Sequence, residues 1–153
     1  MIRMHATAIS IDDHAILLRG PSGMGKSDLA LRLIDDGAHL IADDYVELHP
    51  VQDQIIVTAP AQTAGQMEVR GLGLICLPIV TRRPLLYVCD LVRLEQMERF
   101  PQRSYHFSLD NRTVPLFQLD GAAASAVARV KLMVDLVLQR QGISVLPEDS
   151  PYE

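Results

Sequence analysis

Two cysteines, Cys76 and Cys89, are all the chain offers for disulfide or thiolate chemistry, and their spacing fits no metal motif. That excludes a disulfide-stapled secreted domain and predicts a reducing, cytoplasmic compartment. Uninterrupted apolar runs stop far short of the roughly 18 residues of a membrane span, and the opening MIRMHATAIS lacks the apolar core of a secretory signal. Basic residues are also scarce, 14 Lys and Arg against 19 Asp and Glu, a formal net charge of −5. A general nucleic-acid binder needs a basic face, so neither nucleic acid nor membrane is an expected partner. No internal repeat, low-complexity tract or linker divides the 153 residues. What is there suits one domain over residues 1–153, with 48 % hydrophobic residues to build a core and 22 % charge, too little for disorder.

The patterning predicts many strands and few helices. Residues 2–11 alternate loosely, Asp12-Asp13-His14 reads as a turn, and Ala15–Arg19 is a short apolar run, together a β-hairpin. Ser27–Asp36 has helical spacing with Gly37 as a stop, and His39–Ala42 is a buried strand ending at Asp43-Asp44. Strands are predicted at Val46–His49, Ile55–Thr58, Leu74–Val80 and Leu85–Cys89, with a turn-like segment at Ala59–Gln66. Tyr105–Leu109 and Thr113–Leu119 bracket an Asp110-Asn111 turn, a second hairpin. From Ala122 to Gln139 apolar residues recur at helical period, and the polar tail from Pro147 is expected to fray.

Chemistry concentrates at Gly20-Pro21-Ser22-Gly23-Met24-Gly25-Lys26-Ser27, which fits G-x-x-x-x-G-K-[ST] at every fixed position. An apolar strand precedes it and a helical pattern follows, the context in which such a loop cradles phosphates. Its glycines let successive N–H groups converge on one anion, assisted by the positive end of the next helix. Lys26 then reaches the β- and γ-phosphates, and the Ser27 hydroxyl ligates Mg²⁺. ATP and Mg²⁺ are therefore the expected cofactors. Phosphate-loop proteins also need an acid ending a nearby strand, and Asp43-Asp44 supplies two; spacing alone leaves open which is the base.

Ala42-Asp43-Asp44, one helix beyond Lys26-Ser27, followed by Glu68-Val69-Arg70-Gly71-Leu72-Gly73, resembles the catalytic domain of the HPr kinase/phosphorylase family. The resemblance runs from His5 to at least Arg99. It implies an α/β phosphate-loop NTP-binding fold of the HPr kinase / PEP carboxykinase-like type, strand-rich, with a C-terminal packing helix. It implies an ATP- and Mg²⁺-dependent protein-serine kinase acting on HPr or an HPr-like phosphocarrier protein of a phosphotransferase system. By resemblance His5 is an active-site histidine, Lys26 the phosphate-binding lysine and Asp44 the residue that takes the serine proton. Ser27, Asp43 and Glu68 are metal ligands on the same ground, and Arg99 sits where the family carries a catalytic arginine. Family members are oligomeric and carry a further N-terminal domain, so the resemblance implies a short form built of the kinase core alone and leaves a homo-oligomer open. The family's later P-V-K-x-G-R segment aligns with Pro115–Gly121, where lysine and arginine are missing, so phosphorylase activity is expected to be weak or absent.

Two other readings of the residues stay open, a small-molecule kinase and a nucleotide-binding sensor without phosphotransfer. No Arg-rich lid segment favours the first, and a sensor has little use for Asp44 and Glu68 together. Without the family, His5 is more readily a structural histidine than a functional one, and Arg70 as readily a surface ion pair. Both cysteines read as small core hydrophobes.

Overall fold

The computed structural model describes residues 1–146, so the polar tail from Pro147 lies outside the described residues. The chain runs β1 (Ile2–His5), β2 (Thr7–Ile11), β3 (His14–Arg19), α1 (Lys26–Asp35), β4 (His39–Ala42), β5 (Tyr45–Val51) and β6 (Gln54–Thr58). It continues through β7 (Gln66–Val69), β8 (Gly73–Cys76), β9 (Arg83–Leu91), a 3₁₀ turn at Leu94–Gln96, β10 (Tyr105–Leu109), β11 (Arg112–Leu119) and α2 (Ala126–Val137). This is the strand-rich α/β class that the patterning predicts.

Nine strands form one sheet in the order β1-β5-β6-β9-β3-β2-β4, with β11 also paired to β9 and β10 to β11. Among the strands of the described residues, β9 pairs in parallel with β3 and with β11, and the other strand pairs are antiparallel. Both sequence-predicted hairpin turns are present, joining β2 to β3 and β10 to β11, and they share one chemistry. Asp12 and Asp13 have φ of 50° and 63°, Asp110 and Asn111 of 49° and 64°. Asp and Asn tolerate that left-handed pair, whose twist matches the flanking strands. At the end of α1, the Ala38 N–H donates to the Leu33 carbonyl at 3.0 Å and the Gly37 N–H to that of Ile34 at 3.0 Å, which closes the helix at the glycine stop.

Two cores result. One packs α1 and α2 on one face of β2, β3, β4 and β9, around Ile9, Ile16, Leu18, Leu29, Leu33, Tyr87 and Val130. Tyr87 is fully buried and its hydroxyl donates to the Val130 carbonyl at 2.8 Å, which pins α2 to β9. The other lies on the opposite face, where Leu48 and Val57 of β5 and β6 meet Leu17, Ile41 and Val88. The sheet therefore curls over its own second face.

Three expectations need correction. Residues 2–11 are not one strand of a hairpin: pairing breaks at Ala6, so β1 runs beside β5 while β2 runs between β3 and β4. Leu74–Val80 is not a core strand. β8 ends at Cys76, pairs among the described residues with β7 alone, and leaves Leu74 67 % exposed. Pro78 lacks the N–H a central strand needs, and past it the chain meets the sheet at an isolated Leu40–Ile79 bridge before β9 begins at Arg83. Cys76 is accordingly exposed, whereas Cys89 is buried as expected.

Candidate active site

β3 delivers the chain into the glycine loop, and α1 begins at Lys26. Gly25 caps the helix with φ of 86°, a left-handed conformation a side chain would strain. The first helical bond is Leu29 N–H to the Gly25 carbonyl at 2.9 Å, and no side chain caps this end. The N–H groups of the first turn are therefore left for an anion. Lys26 is 7 % exposed, and its ammonium folds back to donate to the carbonyls of Gly20 at 2.6 Å and Pro21 at 3.2 Å.

The acidic pair sits at the seam where two strands break together. His5 faces Tyr45 across β1 and β5, and Ala8 faces Ala42 across β2 and β4. Between these registers Ala6 and Asp43-Asp44 leave the ladders, linked by Ala6 N–H to the Asp44 carbonyl at 3.0 Å. Asp44 takes φ of 70°, which turns the two carboxylates into different surroundings. Asp43 is 6 % exposed, and one of its oxygens accepts from the hydroxyls of Ser27 at 2.8 Å and Thr7 at 2.9 Å. Asp44 is open to solvent and meets His5 Nε2 at 2.9 Å, while the His5 ring packs at 5.4 Å against Tyr45.

These residues line one cleft of about 770 Å³. Its floor carries Ser22, Gly23, Gly25, Lys26 and Ser27 of the loop; Gly20, Pro21 and Met24 do not line it. His5, Thr7, Asp43 and Asp44 form one wall. The β7–β8 hairpin closes the other with Glu68, Val69, Arg70 and Leu74. Arg70 is exposed and, among the described residues, makes no ion pair. Arg99 lies apart from this wall in the exposed segment after β9, its guanidinium stacked over Phe100 at 5.4 Å.

Sequence reasoning passed over two hydroxyls here. Thr7 is fully buried and braces Asp43. The Thr63 hydroxyl is buried on the cleft wall with no hydrogen-bond partner among the described residues. Neither falls in a motif; only the pairing of β2 with β4 brings Thr7 to Asp43. Among the described residues no three His, Cys, Asp or Glu side chains gather to hold a metal unaided. The Ser27 hydroxyl and Asp43 carboxylate, already 2.8 Å apart, form a hard-oxygen pair that fits Mg²⁺ when phosphate and water complete its shell.

The family model of the HPr Serine kinase C-terminal domain matches residues 1–81, more than half of the chain. The chain belongs to this family. The match takes in the glycine loop, the acidic pair and the β7–β8 hairpin. The HPr kinase/phosphorylase of Clostridium beijerinckii is 42 % identical over 109 residues, 71 % of this chain and 34 % of that protein. That of Clostridium tetani is 42 % identical over 76 residues, 50 % of this chain and 25 % of that protein. The chain thus spans about a quarter to a third of the length of these curated relatives. Among solved structures, the Hpr(Ser) kinase/phosphatase from Coxiella burnetii superposes with a TM-score of 0.78 at 25 % identity, over 88 % of this chain and 94 % of that one. That likeness extends past the matched residues into the second half of the fold.

Proposed function

We propose that the chain is an ATP- and Mg²⁺-dependent protein-serine kinase, cytoplasmic, acting on HPr or an HPr-like phosphocarrier. The observation that carries this reading is the division of labour between Asp43 and Asp44. One carboxylate is buried on the Ser27 hydroxyl, beside the phosphate site; its neighbour stands at the cleft mouth on His5. A pure nucleotide sensor has use for the first arrangement and none for the second. The relatives are named for HPr, and the cleft opens beside an exposed hairpin with no Arg-rich lid over it among the described residues, which favours a protein substrate over a small metabolite.

In this reading the first-turn N–H groups of α1 and the Lys26 ammonium hold the β- and γ-phosphates. Lys26 leaves the Gly20 and Pro21 carbonyls as the nucleotide arrives. Ser27 and Asp43 hold Mg²⁺, with Glu68 across the cleft; the ion supplies neutralisation of the phosphate charge. The substrate serine hydroxyl enters on the Asp44 side. Asp44 accepts its proton as the serine oxygen bonds to the γ-phosphorus and the bond from that phosphorus to the ADP oxygen breaks. His5 orients Asp44 through their hydrogen bond. Arg99 contributes cationic charge only if the segment after β9 moves inward, because it does not line the cleft here.

The test is incubation with γ-labelled ATP and purified HPr, with free serine and small hydroxylated metabolites in parallel. Label on a carrier serine is expected. Lys26→Ala should lose several kcal/mol of transition-state stabilisation, the range of preorganised electrostatic groups. Label on metabolites alone, or equal turnover by Lys26→Ala, overturns the assignment.

A further inference from the structure

In phosphate-loop proteins the metal-ligating acid commonly ends a parallel strand near the one that feeds the loop. β9 is that strand by topology: it lies parallel to β3, and the apolar run Leu86–Cys89 ends in Asp90. Yet Asp90 does not reach the cleft. Leu18 and Cys89 belong to the helix-side core, while Leu17 and Val88 belong to the core on the opposite face. Arg19 and Asp90, directly opposite each other in register, follow that second face. There Arg19 Nε donates to Asp90 Oδ1 at 2.8 Å and Nη2 to Oδ2 at 3.1 Å, a two-pronged pair. The guanidinium also stacks over the Phe107 ring at 5.4 Å. Both side chains are about two-thirds buried, so water screens the pair less than an open one.

Arg19 is the last residue before the glycine loop, and Gly20 has almost no slack. A Cβ at Gly20 would lie 3.2 Å from the Leu91 carbonyl, one residue beyond Asp90. The Gly20 carbonyl, in turn, is the closer acceptor of Lys26. A continuous path therefore runs from Asp90 through Arg19 and Gly20 to the Lys26 ammonium. We propose that Arg19 and Asp90 are positioning residues, a clamp that fixes where the glycine loop leaves β3 and so where Lys26 stands before nucleotide arrives. The acid at the end of β9 fixes the loop on the face away from the nucleotide, and Asp43 serves at the metal instead. This rests on the proposed nucleotide site for its consequence, but the clamp itself is readable without nucleotide.

The chain has only two lysines, Lys26 and the exposed Lys131, which makes lysine acetylation followed by mass spectrometry a direct reporter. In the native chain Lys26 should label much more slowly than Lys131. In Asp90→Asn and in Arg19→Gln, Lys26 labelling is expected to rise at least about tenfold with Lys131 unchanged, and ATP affinity to fall about tenfold. The swapped pair, Arg19→Asp with Asp90→Arg, should restore both. Arg19→Lys keeps the charge and loses the fork; its Lys26 rate should be intermediate, and it carries the comparison if the other single variants do not fold. Unchanged Lys26 labelling in folded variants overturns the clamp, and so does an equal rise at Lys131, which would mark general loosening. A native chain that binds no ATP overturns the proposed nucleotide site, while the labelling still decides the clamp.

Discussion

Replacing Asp44 by Asn separates fold from chemistry more cleanly at this position than it would at most catalytic carboxylates. Asp44 sits at φ of 70°, a left-handed conformation that Asn adopts as readily as Asp. Its side chain is 66 % exposed, so the contact with His5 is a solvent-screened pair, worth at most about 1 kcal/mol. For a chain of this size that bounds the change in Tm at roughly 2–4 °C. Asp44→Ala would add a further cost of about 1–2 kcal/mol, because an ordinary side chain is strained at that φ. General-base catalysis, by contrast, contributes about 10² to 10⁴ in rate, or about 3–5 kcal/mol of barrier. Asp44→Asn should therefore cost about two to four decades of serine phosphorylation, with Tm nearly unchanged. Nucleotide affinity should hardly move, since Asp43, Ser27 and Lys26 are untouched. The assays are steady-state transfer to HPr, calorimetric titration with Mg–ATP, and thermal unfolding. If Asp44→Asn abolishes Mg–ATP binding while Asp43→Asn only slows transfer, the two carboxylates have each other's roles and the reasoning fails.

The two thiols should differ sharply in reactivity: burial, with Asp90 nearby, pushes the Cys89 thiol up to about 12 and keeps it protonated and out of reach, while Cys76 is exposed. One thiol is expected to alkylate in the native chain and both in denaturant; two native thiols of equal rate would contradict the buried β9. Dephosphorylation of seryl-phosphorylated HPr by inorganic phosphate should be far slower than phosphorylation, because drawing two dianions together needs cations that Pro115–Gly121 lacks. Phosphate-driven release of pyrophosphate at a rate comparable to the forward reaction would refute this.

Elements carried by local chemistry were legible in advance. The 3.6-residue spacing of α1 with its glycine stop, the Asp and Asn turns of the two hairpins, and β4 ending at the acidic pair all appear where the patterning puts them. What local pattern misses is where a strand changes partners. Residues 2–11 alternate only loosely, and nothing local says that Ala6 hands the chain from β5 to β4. Leu74 misleads for the converse reason. It reads as core by its side chain, yet β7 and β8 pair only with each other and stand out over the cleft, so an apolar residue ends up on the surface. The pairing of Arg19 with Asp90 is hidden in the same way, across 71 residues of chain and created only by the register of β3 on β9.

The candidate site shows the same division at the scale of two adjacent residues. The doublet Asp43-Asp44 announces acidic chemistry but not which acid does what, since neighbouring side chains on a regular strand would simply face opposite sides of the sheet. The left-handed step at Asp44 and the break at Ala6 replace that alternation. They bring Thr7 from β2 and Ser27 from α1 onto Asp43, and His5 from β1 onto Asp44. Each acid thereby meets a different class of partner: hydroxyls in a buried pocket, suited to a cation, and an imidazole at an open mouth, suited to a proton. Different partners, arriving from strands that belong to different stretches of the sheet, are what turn two identical side chains into two distinct chemical groups.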